Sequence, residues 1–248
     1  MRTCDPNGAR DFEVTVGRCE RPGSAGESFG FVADPEVDPL GQARWPVLLG
    51  HQGHQPGDPL TMISDGADAF VALAHRLGAT HLMGWFHVAM RFERLYQILR
   101  GLRWSYPLEI EGRQDTVDRA KWRLWHGQLN RADQALGELA ADLDPRLGSA
   151  TPAWRSPLLR LRSAVGEVQA YLRANAASLV DYARRYLRGQ RISTAVVESM
   201  VNRVIGRRMA KKQPMRSQPP WRPPARPNSG GRAGRLPGAS ISAVVSAL

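Results

Sequence analysis

Two acidic residues stand where a carboxylate could bind a divalent metal ion. Asp65 directly follows a short apolar segment, 60–63, that is typical of a strand, so its side chain is expected at the edge of a sheet. Glu198 lies in a helical segment whose apolar stripe includes Val197, with Asn202 one turn further on. Each acid also has an ordinary interpretation, Asp65 as a helix N-cap and Glu198 as a helix-surface glutamate. The residues alone favour these ordinary roles.

The C-terminal part of the chain carries almost all of the net charge. After Glu198 there are ten basic residues and no acidic one, and the formal net charge of the whole chain is +11. Such a local excess favours a polyanionic partner, most simply DNA. A solvated basic tail without a specific partner is the alternative, and compensation of a helix dipole is compatible with either. The candidate DNA-binding residues, near the end of the last predicted helix, are Arg203, Arg207, Arg208, Lys211 and Lys212.

The elements that must position Asp65 have an α/β pattern. Segments 12–17 and 29–32 are rich in β-branched and aromatic residues and flank a Gly- and Pro-containing turn, which predicts an antiparallel hairpin. A short helix is predicted within 42–49. Two further short strands, at 60–63 and 81–83, alternate with helical segments at 68–77 and 86–102. This order predicts a sheet flanked by helices.

The rest of the chain is predicted to be helical and then disordered. Apolar residues at spacings of three and four predict helices over 115–125, 129–143, 158–187 with a break near Ala174, and 192–210. Pro152 and Pro157 are expected to interrupt the run between the second and third of these. Residues 214–248 contain seven prolines and no periodicity, so we expect this tail to be disordered.

Composition excludes several classes of protein. A chain of 248 residues with 42% hydrophobic residues can form a globular core. Neither a long apolar run nor a signal peptide is recognisable, which predicts a cytoplasmic protein without membrane contact. Cys4 and Cys19 match no disulfide or metal pattern and are interpreted as reduced thiols, and the pair His51 and His54 lacks the further ligands that a zinc site needs.

Several short motifs, taken in order and spacing, are more specific than any of them alone. Between about residue 11 and residue 216 the chain resembles the transposases of the ISKra family of insertion sequences. The motifs that carry this resemblance are SDGAD at 64–68, WFHVAMR at 85–91, KWRLWHG at 121–127, YARRY at 182–186, STAVVESMVN at 193–202 and RMAKKQ at 208–213.

The resemblance implies a DDE-type active site on an RNase H-like fold. Three carboxylates would then hold two divalent ions, Mg²⁺ or Mn²⁺, which activate the attacking oxygen and stabilise the leaving oxygen. Asp65 matches the second acid and Glu198 the third, with His87 and Asn202 in supporting positions. The family pattern has an acid or cysteine three residues before the histidine, where this chain has Gly84, and that leaves a partly buried helix-start histidine as the alternative for His87.

The family's first acid has no counterpart in the sequence. It belongs to a strand at the centre of the sheet, before the segment that 11–14 resembles, and the preceding residues offer only Asp5 in a turn. Beyond Arg216 the sequence departs from the family's helical ending, and we expect a frameshift there. We therefore predict an altered fragment of a transposase that is inactive alone. The alternatives are a non-enzymatic nucleic-acid-binding remnant and an unrelated helical interaction protein.

The resulting division of the chain has five parts. We predict an irregular start at 1–10, an incomplete RNase H-like α/β part at 11–103, a large all-α insertion at 104–190, a helix at 191–213 that closes the RNase H-like part, and a disordered basic tail at 214–248. Within the insertion, Trp122 and Trp125 are interpreted as core residues, with stacking on nucleic acid as the alternative. DNA is the expected partner, a homo-oligomer is left open, and no small-molecule substrate is expected.

Overall fold

The protein is described here by a computed structural model. It describes residues 13–21, 23, 25–33, 44–105, 111–195, 197, 199 and 241–247. These residues form a mixed α/β structure that is mostly helical. Among them, no helix has the length and apolar character needed to cross a membrane.

The described strands form one five-stranded sheet in the order β2-β1-β5-β3-β4. Strands β1 (Glu13–Glu20) and β2 (Glu27–Ala33) make the predicted antiparallel hairpin. Strands β3 (Leu60–Ser64) and β4 (Thr80–Met83) are parallel, as expected for two strands connected by a helix. Strand β5 (Ile241–Ala247) lies in the middle, antiparallel to β1 and parallel to β3.

The position of β5 corrects the prediction of a wholly disordered tail. Residues 241–247 lie within the predicted tail, yet they pair along both edges, from Thr15↔Ala247 on β1 and from Leu60↔Ile241 on β3. No direct pairing joins the described residues of β1 to those of β3, so β5 connects the hairpin to the parallel pair. The remainder of the predicted tail, 214–240 and Leu248, lies outside the described residues.

Apolar side chains cover both faces of the sheet. Helices α1 (Trp45–His51) and α2 (Asp68–Arg76) pack on one face, where Trp45, Phe70 and Leu73 join Leu60 and Met62 of β3 in a buried cluster. A smaller cluster on the other face contains Val16, Ile63, Leu82 and Val197. Strand β3 is buried almost throughout, as expected for a parallel strand with covered faces.

Four long helices form the largest core of the protein. Helix α3 (Trp85–Ser105) is followed by α4 (Arg113–Trp125), α5 (Leu129–Ser149) and α6 (Pro152–Ala174). The apolar stripe of α3, formed by Val88, Phe92, Leu95 and Leu99, is buried in this core, where α3 packs against α4 and α6, which confirms the amphipathic pattern.

One of the two predicted proline breaks is wrong. Pro152 is the first residue of α6, a position that suits proline because its missing N–H has no helical partner there. Pro157 lies inside α6, where packing of the flanking apolar residues Trp154, Leu158 and Leu161 outweighs the one lost hydrogen bond. A short 3₁₀ turn (Ala176–Ser178) and helix α7 (Tyr182–Leu187) follow, in agreement with the predicted break near Ala174.

Candidate functional site

Asp65 lies at the carboxyl end of β3, as predicted from the apolar segment before it. It is half-buried, and its Oδ1 accepts a hydrogen bond from the backbone N–H of Ala67 at 3.2 Å. The N-cap of α2 is Ala67, and Asp68 is the exposed first residue of that helix. The capping role considered for Asp65 is therefore not what the structure shows, because its side chain holds the turn before the helix instead.

Gly66 is required by the turn that follows Asp65. Its φ of 89° lies in the region that favours glycine, and an added Cβ would stand 2.2 Å from Cε and 2.7 Å from Sδ of Met83. Met83 ends β4, so this contact brings the carboxyl ends of the two parallel strands together. The tight turn therefore fixes the backbone position of Asp65.

A chain of buried, hydrogen-bonded polar groups starts at Ser64, next to Asp65, and none of its members was among the predicted site residues. His81 on β4 lies between two hydroxyl groups, with Nε2 2.8 Å from Ser64 Oγ and Nδ1 2.8 Å from Ser178 Oγ. The Ser64 hydroxyl also accepts a hydrogen bond from the N–H of Gly66 at 3.1 Å. A neutral imidazole donates from one nitrogen and accepts at the other, so both histidine contacts suit the uncharged form.

Burial decides the protonation state of His81. Removal from solvent lowers its pKa below the ordinary value, while the negative charge of Asp65 acts in the opposite direction and is the smaller effect. The imidazole is therefore uncharged at neutral pH. It links β3, β4 and the 3₁₀ turn, and no local signal in the sequence pointed to this, since Ser178 is distant along the chain.

His87 faces the segment that leads to Glu198. It is half-buried in the first turn of α3, and its Nε2 lies 3.1 Å from Thr194 Oγ1. An added Cβ on Gly84 would stand 3.4 Å from each of His87 Cδ2, Thr194 Cγ2 and the carbonyl oxygen of Ser64. The glycine that departs from the family pattern is thus part of a close packing of three segments. The placement of His87 fits the alternative of a partly buried helix-start histidine.

The segment preceding Glu198 packs against the end of β3. The N–H of Trp85 donates to the carbonyl of Ile192 at 2.7 Å, and that of Val197 donates to Thr194 at 2.8 Å. Val197 is buried with Ile63, two residues before Asp65. Glu198 follows Val197 in the chain but lies outside the described residues, as do Asn202 and the predicted DNA-binding residues Arg203, Arg207, Arg208, Lys211 and Lys212.

The donor groups around Asp65 decide whether a divalent metal ion could bind in this region. In the part of the chain that the structure describes, no group of three or more His, Cys, Asp or Glu residues could hold a metal ion. The middle strand β5 pairs with β3, the strand that Asp65 follows. Its sequence is ISAVVSA, which contains no carboxylate. These residues of the described part do not fit a two-metal centre.

The two tryptophans of the KWRLWHG motif have different environments. Trp125 packs against Trp85 and Tyr182, with ring centroids 4.9 and 6.2 Å away, so the core interpretation is correct for Trp125. Trp122 is 64% exposed, and the core interpretation is wrong for it. Three residues advance a helix by about 300°, which is enough to move the second ring from solvent to the core edge.

An ion pair joins the hairpin to the segment before Glu198. Arg191 donates to both carboxylate oxygens of Glu20 on β1, with Nη2 2.9 Å from Oε2. The hydrogen bond from Arg191 is the main reason that the pKa of Glu20 lies below its ordinary value. This pair therefore holds the chain near residue 191 against β1.

Comparison with known proteins adds no family. No family model, no curated protein and no solved structure matches this chain.

Proposed function

We propose that this chain is a transposase-related protein that binds DNA and does not cut it by itself. The family resemblance supplies the class, and three features of the α/β part support it. These are the hairpin joined through β5 to a parallel pair, Asp65 at the carboxyl end of β3, and the packing of Val197 next to β3. The RNase H-like description of the sheet belongs to the same proposal.

The middle strand, β5, supports the proposal that the chain does not cut DNA by itself. The resemblance puts the first acid of the metal site on a strand at the centre of the sheet. In this chain β5 holds the central position, paired to β1 and β3, and it has no acid. Asp65 and Glu198 would then be two acids where three are needed, and two carboxylates hold a pair of Mg²⁺ or Mn²⁺ ions poorly.

The DNA-binding half of the proposal depends on charge. The ten basic residues between 203 and 235 have no acidic residue among them, so the segment attracts phosphates over its whole length. Binding of this kind is independent of base sequence and weakens steeply as salt rises. The positive charge of the segment is densest at Arg207, Arg208, Lys211 and Lys212.

Duplex binding is tested by fluorescence anisotropy with the full chain, from about 50 to 200 mM salt. If Arg207, Arg208, Lys211 and Lys212 each neutralise a phosphate, replacing all four with glutamine reduces the magnitude of the slope of log K against log salt by about 3.6. The matched control replaces four exposed arginines on α2, α3 and α6, namely Arg76, Arg103, Arg155 and Arg160. Equal slopes for the wild type and the first variant, or an equal loss in the control, would overturn the DNA-binding assignment.

Cleavage is tested on supercoiled plasmid with Mg²⁺ and with Mn²⁺. We expect no nicking by the wild type beyond that of a mock preparation. Metal-dependent nicking that disappears in both Asp65→Ala and Glu198→Ala, and persists in Asp68→Ala, would show that the chain is catalytic. The proposal that it does not cut DNA by itself would then be wrong. Asp68 is the matched control because it is an exposed aspartate three residues after Asp65, at the start of α2.

A further inference from the structure

The end of α4 and the start of α7 are held side by side. His126, which follows α4, forms an isolated antiparallel bridge with Asp181, which caps α7 by accepting from the N–H of Arg184 at 2.8 Å. Gly127 has a φ of 70°, and an added Cβ would stand 3.0–3.2 Å from three atoms of Asp181. Two motifs far apart in sequence, KWRLWHG and YARRY, are thus joined at a contact that needs the glycine.

Aromatic rings extend from the core to solvent at this contact in two sets, Trp85, Trp125, Tyr182 and Tyr186 in one, and Trp122 with His126 in the other. Tyr182 is buried and lies 4.9 Å from Trp85 between ring centroids. Trp125 lies 6.1 Å from Tyr186, and Trp122 lies 4.5 Å from His126. We name Trp122, Trp125, His126 and Tyr186 the aromatic face. Its outer members are largely exposed, Trp122 by 64% and Tyr186 by 65%.

The surroundings of the aromatic face are basic on the α7 side. Arg184 and Arg188 are exposed, and neither makes an ion pair within the described residues. Arg185 donates to the carbonyl of Arg191, and the charge of Asp181 lies beside Arg184 at the helix start. The α4 side also contains acids, since Asp118 lies one turn before Trp122 and accepts from the hydroxyl of Tyr96. Positive charge therefore adjoins the rings along α7.

We propose that the aromatic face binds unpaired bases of single-stranded nucleic acid. Trp122 and Tyr186 would stack on bases, and Arg184 and Arg188 would contact the adjoining phosphates. Flat exposed rings beside arginines suit this ligand because every base has a π-face, whereas the bases of an intact duplex offer only their edges. The inference rests on the proposed DNA-binding function and deepens it, since it names unpaired strands as the ligand of the helical part.

The test compares two ligands of equal charge on the full chain. One is an oligothymidine of about 15 nucleotides, and the other is an abasic phosphodiester strand of the same length. We expect Trp122→Ala to weaken oligothymidine binding about tenfold or more, Trp122→Phe to retain most of the affinity, and both to bind the abasic strand like the wild type. Leu159→Ala is the control for loss of an exposed apolar side chain, because Leu159 is 48% exposed on α6.

The charge contribution is measured separately. Replacing Arg184 and Arg188 with alanine is expected to reduce the magnitude of the slope of log K against log salt for oligothymidine by about 1.4, which is about 0.7 for each single-strand phosphate contact. Arg155→Ala with Arg160→Ala, the same charge change on α6, serves as the control and is expected to leave the slope unchanged.

Two results would overturn the inference. One is wild-type affinity of Trp122→Ala for oligothymidine, and the other is an equal loss for the abasic strand, which would mean that stacking is not involved. Duplex binding of the same variants separates this from the proposed function. A chain that binds duplex DNA but shows no dependence on Trp122 retains the proposed function alone, and a chain that binds only oligothymidine through Trp122 retains the aromatic face alone.

Discussion

The buried imidazole of His81 should make the protein lose stability in mild acid. Because burial lowers its pKa in the folded state, the unfolded chain binds more protons once the pH falls below about 6.5. The sign follows directly: His81 does not oppose folding above pH 6.5, and it opposes folding increasingly as the pH drops towards its folded-state pKa. Each pH unit in that window costs up to ~1.4 kcal/mol of unfolding free energy.

His81→Gln isolates this effect. The variant lacks the titrating group and keeps a side chain that can hydrogen-bond to a serine hydroxyl, so we expect it to be less stable than the wild type by about 1–3 kcal/mol at neutral pH. As the pH falls, the wild type loses stability through His81 while the variant does not, and the difference between them should shrink.

The measurement is urea unfolding, followed by tryptophan fluorescence, at several values from about pH 7.5 to about 5.5. His75→Gln, which removes an exposed imidazole from α2, is the matched control. A difference between wild type and His81→Gln that stays constant over this range would refute the assignment of a buried neutral histidine. So would an equal narrowing in the control.

Three further substitutions test contacts around the same region. Tyr182→Phe removes a buried hydroxyl that donates to the main chain at the end of β4 and should cost about 1 kcal/mol in urea unfolding, whereas the exposed Tyr186→Phe should cost almost nothing. Gly127→Ala combines a positive φ with a close approach to the start of α7 and should lower the unfolding free energy by about 2 kcal/mol or more, a change of less than 0.5 kcal/mol being contrary to the structure. Glu20→Gln breaks the pair with Arg191. Since the pKa of Glu20 is lowered in the folded state, the pair stabilises the fold above about pH 4.5, and this effect fades as the pH falls through the folded pKa. The unfolding free energies of wild type and variant should therefore differ by at most ~1 kcal/mol at neutral pH and converge at low pH.

Local patterns in the sequence were sufficient for most of the elements. The alternating segments predicted the hairpin of β1 and β2, and spacings of three and four predicted the buried face of α3. The position of Asp65 after a buried strand was also predicted, because an apolar run followed by Asp-Gly indicates a strand and a turn within a few residues. In each case the information lies in neighbours along the chain.

The two tryptophans of the KWRLWHG motif show where local pattern stops being enough. Their spacing predicts a helix equally well whichever ring is buried, and the structure buries Trp125 partly against Trp85 and Tyr182 while exposing Trp122. Which face of a helix is covered depends on the elements that pack against it, and α7 reaches α4 from more than fifty residues away. The sequence pattern therefore could not distinguish a core ring from a surface ring.

Strand β5 and the polar chain of His81 were decided by the tertiary structure alone. The segment 241–247 follows a Pro- and Gly-rich stretch and has only a weak apolar pattern, so its composition favoured disorder, yet pairing with two separate strands gives it a place at the centre of the sheet. His81 obtains its second partner from Ser178, 97 residues later. By itself, the sequence determined most of the helices and strands, though not β5, and which residues carry charge. Strand order, the covered helix faces and the hydrogen-bond partners of buried polar groups depend on contacts distant along the chain, which no local pattern encodes.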